Sequence, residues 1–600
     1  MTDSEPALSA HDRIRKALAT ALREMGVEDP TVVLERPREP EHGDWASNAA
    51  LVHASVLGRP PRALAEEICR SLDLRGAGVT EVEVAGPGFL NFRLSDGAMS
   101  SRLVEVLTGG DGYGRGATGS GQSVMVEFVS ANPTGPLHLG HGRQAALGDA
   151  VSELLAWTGW DVHREYYYND AGKQIELLSR SVWARYQQEL GRDVPVPEGG
   201  YRGEYVAEIA RSLRDELGDR YLDDDSDEAL DAMRRFAVRV LRDEQDRDLT
   251  ELGVHFDEYY LESALHEEGS VEQVIEDLRE SGLVYEEGGA VWLRTTEFGD
   301  QKDRVMVKSD GSVTYFVPDV AYHREKWRRG FHHAINVQGA DHHGTVARVR
   351  AGLRALGLPE GYPEYVLHQM VTVEKDGEEV KFSKRAGSYT TLRDLFENVG
   401  VDVVRYFFQM RRPESHLVFD LDLALEQSEK NPVYKIQYAH ARMWSIFARG
   451  GVDPKDLDVG EADLGLLTHE RERELVKQLT EFPNLVEVAA EQRGPHLICD
   501  YLEQTSGQVN SWYHEGNPSR NPELSVLVDD PELRQARLVL ARAVQLVLGN
   551  GLRILGVTQP RRMVRAEEGA VIPDSGARTA ETGASARASG TVEESEGEGS

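Results

Sequence analysis

The ten residues Asn132-Pro133-Thr134-Gly135-Pro136-Leu137-His138-Leu139-Gly140-His141 limit the fold of this chain more than any other stretch, because of what flanks them. Residues 123–129 alternate, with Val124, Val126 and Phe128 on one face and Met125, Glu127 and Val129 on the other, which is the period of a strand. Beyond the motif, Leu147, Val151, Leu154 and Leu155 recur at helical spacing until Gly159 stops the pattern. The motif therefore sits in a Gly/Pro loop between a strand and a helix. The first turn of such a helix offers unpaired N–H donors and a positive dipole end, where phosphates bind. Gly140 has no Cβ to obstruct a close approach, and His138 and His141, three apart, share one face of the turn. Two imidazoles there can donate hydrogen bonds to phosphoryl oxygens as negative charge accumulates during displacement.

Further strand patterns at 313–317, 334–337 and 366–373 interleave with helical stretches such as 346–356, which predicts a largely parallel sheet with helices on its faces. A chain of 600 residues suits about four domains at roughly 150 residues each. Residues 1–117 read as a separate unit, with an opening helix, Gly43-Asp44-Trp45 in the middle and the strand-like Phe89-Leu90-Asn91-Phe92. Gly109, Gly110, Gly112, Gly114, Gly116, Gly119 and Gly121 then predict a flexible connection. The catalytic-type domain spans 118–425, with a charged, mostly helical insertion at about 175–255. Over 426–563 the strand signals vanish, and Leu540, Val544, Val547, Leu548, Leu552 and Leu555 keep a helical period, so a helical bundle is expected. Residues 564–600 carry eight acids, three bases and almost no large apolar side chain, the composition of a disordered acidic tail.

Composition excludes a peptide hormone, a disulfide knot or a single small binding module. Only Cys69 and Cys499 are present, so neither a disulfide framework nor a Cys-based zinc ribbon can form, and a reducing cytoplasm is expected. The N-terminus is polar and acidic and no run approaches about 18 apolar residues, so neither a signal peptide nor a membrane span is predicted. The net charge of −35 repels polyanions at long range. Local basic clusters nonetheless exist at Arg324, Lys326, Arg328 and Arg329; at Arg348, Arg350 and Arg354; at Arg405, Arg411 and Arg412; and at Arg534, Arg537, Arg542 and Arg553. Each is a candidate phosphate contact, set against the plainer reading of a solvated helix face.

A second motif, Lys381-Phe382-Ser383-Lys384-Arg385, is followed by Gly387 and by Thr391 as the expected N-cap of a helix. Two lysines on a loop can offset charge on a leaving pyrophosphate. The two motifs together resemble the His-Ile-Gly-His and Lys-Met-Ser-Lys-Ser signatures of class I aminoacyl-tRNA synthetases, with Leu139, Phe382 and Arg385 as departures. Within that class the surroundings resemble arginyl-tRNA synthetases of bacterial type: Val126-Glu127-Phe128-Val129-Ser130-Ala131, Phe298-Gly299-Asp300-Gln301-Lys302-Asp303, Thr314-Tyr315-Phe316-Val317-Pro318-Asp319, Gly339-Ala340-Asp341-His342-His343-Gly344 and Gln437-Tyr438-Ala439-His440-Ala441-Arg442.

That resemblance implies a multidomain α/β protein: a Rossmann-like parallel-sheet catalytic domain with an N-terminal α+β domain and a C-terminal α-helical bundle. It implies a ligase that joins L-arginine and ATP, supplied with Mg²⁺, into arginyl-adenylate and then esterifies the terminal adenosine of tRNA(Arg), as a cytoplasmic monomer with no tightly bound cofactor and no metal site. It assigns catalysis to His138, His141, Lys381 and Lys384, and ATP binding to Pro133, Gly135, His138, Gly140, His141, Lys381, Ser383 and Lys384. Arginine would be held by Glu127 and Asn132 and its guanidinium read by Glu262, Tyr315 and Asp319. Carboxylates and a hydroxyl suit a planar cation that only donates. The N-terminal unit would contact the corner of the tRNA and the bundle its anticodon stem and loop, with Tyr438, Arg442 and Trp444 as candidate contacts, although the helical spacing of the two aromatics also suits core packing. His332, His333, Asp341, His342 and His343 suggest a metal, but adjacent histidines do not easily reach one ion. An adenylate-forming nucleotidyltransferase would share both motifs yet lack the long helical C-terminal domain; a non-catalytic RNA-binding paralogue would have lost a signature histidine or lysine.

Overall fold

In the computed structural model the described residues are 10–35, 37, 42–170, 172–380, 391–460 and 462–563. The second motif and the C-terminal tail lie outside them. The centre is a five-stranded sheet in the order Glu364–His368, Ala334–Gly339, Ser123–Glu127, Asp161–Tyr168, Glu258–Leu261, parallel throughout. Register places Glu127 opposite both Asn336 and Glu165, and Tyr168 opposite Leu261. The helix Leu139–Trp157 crosses from Ser123–Glu127 to Asp161–Tyr168 on one side, while the strand on the other side, Ala334–Gly339, arrives much later in the chain. The loop carrying the ten-residue motif thus opens at the switch point of the sheet, at strand C-termini, where such folds bind ligands.

Leu147, Val151 and Leu154 have no exposure, as the spacing predicts, but so do Ala145 and Ala150, and the helix is buried almost all round. It packs against Phe128 so closely that a Cβ on Gly148 would lie 2.2 Å from that ring. The strand ends abruptly. Val129 and Ser130 have φ of 69° and 42°, a conformation that costs a non-glycine residue about 1–3 kcal/mol. Hydrogen bonds hold the turn: the Tyr166 hydroxyl accepts from Ala131 N at 3.0 Å, and Tyr167 N donates to Ser130 Oγ at 3.2 Å.

Residues 175–255 form the helices Lys173–Glu189, Glu204–Leu217 and Asp227–Leu252 around Leu178, Val182, Val206, Leu213, Met233 and Leu241. The last of these helices does not stand apart, for Gln245 Nε2 donates to the carbonyls of Asn132 at 3.1 Å and Gly135 at 2.9 Å. The N-terminal unit is an antiparallel three-stranded sheet with helices including Ala10–Glu24 and Pro61–Ser71. The C-terminal part contains Pro432–Gly450, Glu470–Thr480, Phe482–Glu491, His496–Glu515 and Pro531–Ile554, with Leu540, Val544, Val547, Leu548 and Leu552 fully buried. The two ends touch: Lys477 Nζ lies 2.6 Å from Asp44 Oδ1, and the Tyr113 hydroxyl donates to the Leu479 carbonyl at 3.3 Å. Among the described residues no helix is long and apolar enough to cross a membrane.

Three expectations are corrected. The stretch 313–317 is not a strand: Val313 makes a single bridge to Val307 and a helix, Phe316–Arg328, begins at once. Residues 366–373 split into Glu364–His368 and Val371–Lys375, the latter pairing with Leu417–Asp420 in a separate sheet. The glycine-rich connection is docked, not free. Asn550 Nδ2 donates to the carbonyls of Gly110 at 3.0 Å and Tyr113 at 2.9 Å, and Gly119 N donates to the Thr158 carbonyl at 2.9 Å. Its glycines serve tight packing, as where a Cβ on Gly119 would strike the Trp160 ring.

Candidate active site

His138 is the N-cap of Leu139–Trp157, and its Nδ1 accepts from Gly140 N at 3.1 Å and His141 N at 3.4 Å. Reciprocally, His141 Nδ1 accepts from His138 N at 3.4 Å. Imidazoles thus take the part that Ser and Glu play in a capping box. Because each Nδ1 spends its lone pair on a backbone donor, the neutral rings carry their protons on Nε2. The rings stack with centroids 3.6 Å apart. Gly140 serves this arrangement directly, since a Cβ there would lie 2.9 Å from His138 Cε1. Burial pushes the His141 pKa down to about 3 and lowers that of His138. His368, at the end of its strand, is 4% exposed and pushed down to about 4 for the same reason. Three neutral imidazoles therefore face this corner at pH 7.

Thr391 bridges to His138, and Leu392 N donates to the Leu137 carbonyl at 2.8 Å. The predicted N-cap is present: Thr391 Oγ1 accepts from Asp394 N at 3.1 Å. The chain that follows the second motif thus returns against the first. Lys381, Ser383 and Lys384 themselves fall outside the described residues. Arg143, with no exposure, donates to the carbonyls of Gln369 at 2.7 Å, Arg412 at 3.0 Å and Ser415 at 3.1 Å. It joins the signature helix to the segments that lead into Val371–Lys375 and Leu417–Asp420.

Across the strand ends lies an acidic group. The Tyr167 hydroxyl donates to Glu262 Oε2 at 2.9 Å. Burial, with Glu262 and Glu127 nearby, pushes the Asp319 carboxyl up to about 7 against the pull of Arg348. Burial also raises Glu262. The fold therefore brings Glu127, Glu262 and Asp319 into one electrostatic neighbourhood. Glu127 is largely spoken for within the protein: Oε2 accepts from Lys326 Nζ at 2.5 Å and Asn336 Nδ2 at 2.6 Å, and Oε1 from Ser130 Oγ at 2.9 Å. Asn132 Nδ2 donates to Gln174 Oε1 at 2.7 Å. Pro133 is buried and Gly135 half-buried in the loop. Tyr315 is 67% exposed and, like Asp319, stands at the start of the helix Phe316–Arg328, not at a strand end.

The basic clusters are partly overturned. Lys326 has no exposure and pairs with Glu127; Arg329 donates to Glu165 and Glu258 at 2.6 Å each; Arg537 pairs with Glu472 at 2.6 Å. Arg405 is likewise internal. These cations balance carboxylates in the core and are not available to phosphates. Arg442, a candidate tRNA contact, is also buried, donating to Asn510 Oδ1 at 2.5 Å beside the rings of Tyr438 and Tyr513; Tyr438 and Trp444 are half-buried. His332 packs on Trp327 and His333 on Trp160, which turns them to different partners. His163, Glu165 and Glu258 do come within metal-ligand spacing, but the Arg329 guanidinium occupies the cationic position between the carboxylates. Sequence reading missed Tyr167, Asn336, Gln245, Arg143 and His368, and gave Lys326 a different part. They become visible once register sets which strand ends meet.

Three family models match in succession: the arginyl tRNA synthetase N-terminal domain over 11–94, the class I (R) tRNA synthetase catalytic domain over 102–405, and the DALR anticodon binding domain over 436–563. The catalytic model covers half of the chain, including the stacked histidines and the acidic group. The chain belongs to the arginyl-tRNA synthetases. It is 50% identical over 569 residues to an arginine–tRNA ligase of Geotalea uraniireducens, spanning 92% of this chain and 99% of that one. It is 50% identical over 563 residues to that of Bordetella pertussis, spanning 92% and 98%. An arginyl-tRNA synthetase structure from Campylobacter jejuni superposes with a TM-score of 0.72 at 30% identity, covering 78% of this chain and 100% of that one. The Thermus thermophilus arginyl-tRNA synthetase shares the fold, with a TM-score of 0.73, 24% identity and coverage of 92% and 100%. Within the segment matched by the catalytic model, the signature opens the helix Leu139–Trp157 and its histidines cap that helix.

Proposed function

We propose that the chain is an arginine–tRNA ligase that works in two displacements. An oxygen of the arginine carboxylate attacks the α-phosphorus of ATP, supplied as its Mg²⁺ complex, and pyrophosphate leaves. The 2′-hydroxyl of the terminal adenosine of tRNA(Arg) then attacks the activated carbonyl, and AMP leaves. The Nε2–H groups of His138 and His141 donate to phosphoryl oxygens as charge develops, with Gly140 and the loop from Pro133 to Gly135 beneath the nucleotide. Lys381, Ser383 and Lys384 act on the triphosphate from the other motif. Glu262, Tyr315 and Asp319 accept from the guanidinium, and Glu127 and Asn132 hold the amino acid, Asn132 near its α-amino and carboxylate groups.

Two features support this reading: neutral stacked histidines on the helix N-terminus that follows Ser123–Glu127, and, around the end of that strand, Glu127 sharing one electrostatic neighbourhood with Asp319 and with Glu262, which accepts from Tyr167. The first suits phosphate and the second a cation. The N-terminal unit over 1–117 and the bundle over 426–563 are assigned to tRNA, in a cytoplasmic monomer. ATP–pyrophosphate exchange measured with each of the twenty amino acids, with and without total tRNA, tests the assignment. Exchange driven by arginine alone supports it; exchange driven by another amino acid, or by none in the presence of tRNA, overturns it.

A further inference from the structure

Arg405, on the helix Val401–Gln409, is fully buried, and its guanidinium joins three separate parts of the chain. Nη2 donates to the Asp149 carboxylate, on the same helix that begins with His138 and His141. Nη1 donates to the Leu252 carbonyl at 2.7 Å, the last residue of Asp227–Leu252. Nε donates to the Leu555 carbonyl at 2.6 Å, the C-cap of Pro531–Ile554. The cation therefore stands at the negative ends of two helix dipoles and against one carboxylate, an arrangement that uses the planar fork of arginine and that a point charge cannot reproduce.

The neighbouring chain is shaped around this fork. Gly556 has φ +65°, and a Cβ there would lie 2.2 Å from Arg405 Cζ, so the last helix can only end here as glycine. One turn on, Gln409 Nε2 donates to the same Leu555 carbonyl at 3.1 Å. One turn back, Asp402 accepts from Thr558 N at 3.1 Å and from Gln437 Nε2 at 2.8 Å. One helix face thus grips the end of the last helix. Other charges at the node are those of Arg164, 3.6 Å from Asp149, and Glu153, 2.6 Å from Arg164. Arg405 closes the segment matched by the catalytic model, while Leu555 belongs to that matched by the anticodon binding model.

We propose that Arg405 is a positioning residue: it sets the signature helix against the C-terminal domain, so that how tRNA sits on that domain is felt at His138 and His141. The proposal rests on the reading of this chain as an arginine–tRNA ligase. Displacing the last helix must pull on Asp149 through a rigid fork, because a buried guanidinium left without its partners is costly and the surrounding core cannot yield continuously.

The test is aminoacylation by the full chain with intact tRNA(Arg) and with the same tRNA carrying substituted anticodon bases, for wild type, Arg405→Lys and Asp149→Asn. Wild-type charging of intact tRNA with arginine checks the underlying reading in the same assay. The expected result is that wild-type kcat falls with the substituted anticodon, and that Arg405→Lys shrinks this difference by about two- to thirtyfold while KM for arginine and ATP holds. Asp149→Asn, isosteric and on the signature helix itself, should do the same and decides the matter should the lysine variant not fold. Equal losses of kcat on both tRNAs, or a wild-type kcat indifferent to the anticodon, would overturn the proposal.

Discussion

His138 and His141 cap the same helix turn through their Nδ1 atoms, each accepting from the backbone N–H of the other. Their reactive faces are therefore Nε2–H donors, and both pKa values lie below the ordinary 6.5. At pH 7 His141 thus offers a neutral Nε2–H, not a cation.

Replacing His141 with Ala should lower kcat for pyrophosphate exchange by about 10²- to 10³-fold with little change in arginine affinity, since a donor aimed at developing charge is worth roughly 2.7–4 kcal/mol. Gln, which carries an N–H near the Nε2 position, should retain more activity than Asn, which does not reach it. Equal rates for Gln and Asn would contradict the tautomer.

Stability should fall on mild acidification for the same reason. Between the ordinary value of 6.5 and about 3 for His141, or about 4 for His368, the unfolded chain binds protons that the folded one does not. This contribution is complete above 6.5 and is lost as pH drops through that window. Denaturant midpoints measured at pH 7 and pH 5 should show a smaller drop in His368→Gln than in wild type.

Asp319 has the opposite sign. With its carboxyl held up to about 7, it carries a proton in much of the free protein at neutral pH, and that proton must leave before the guanidinium pairs with it. Arginine binding should release close to one proton at pH 6 and far fewer at pH 8, read by calorimetry in buffers of different ionisation enthalpy. Asp319→Asn should abolish the release and cut kcat/KM for arginine at least about thirtyfold, in keeping with about 2–5 kcal/mol for a buried charge pair. A loss under about threefold would make Asp319 structural.

Lys326→Met removes the buried cation beside Glu127 and leaves that carboxylate with Asn336 and Ser130 alone. A cost of about 3–5 kcal/mol is expected on breaking such a pair, measured as a lowered denaturant midpoint. An unchanged midpoint would contradict a stabilising role for the Lys326–Glu127 pair.

Three strands of the sheet, the signature helix and its N-terminal loop were legible because period and turn chemistry are local properties, whereas Asp161–Tyr168 and Glu258–Leu261 were not read as strands. The Thr391 cap was legible too, since it needs only the residues up to Asp394. Other features depend on what meets across the fold. Lys326 reads as one member of a basic surface run until the pairing of Ser123–Glu127 with Ala334–Gly339 brings Asn336 and Glu127 together beside it. Gly119 and its neighbours read as a flexible linker until the Trp160 ring fills the space a side chain would need. The stretch 313–317 has strand-like composition, yet Phe316, Val317 and Val320 bury themselves from the first turns of a helix.

Charging of total tRNA with each labelled amino acid by the wild-type chain tests the central claim most directly. The account predicts that arginine alone becomes acid-precipitable on tRNA, and that the signal is lost with His141→Ala. Stable charging with a different amino acid, or undiminished charging by the His141 variant, would contradict it.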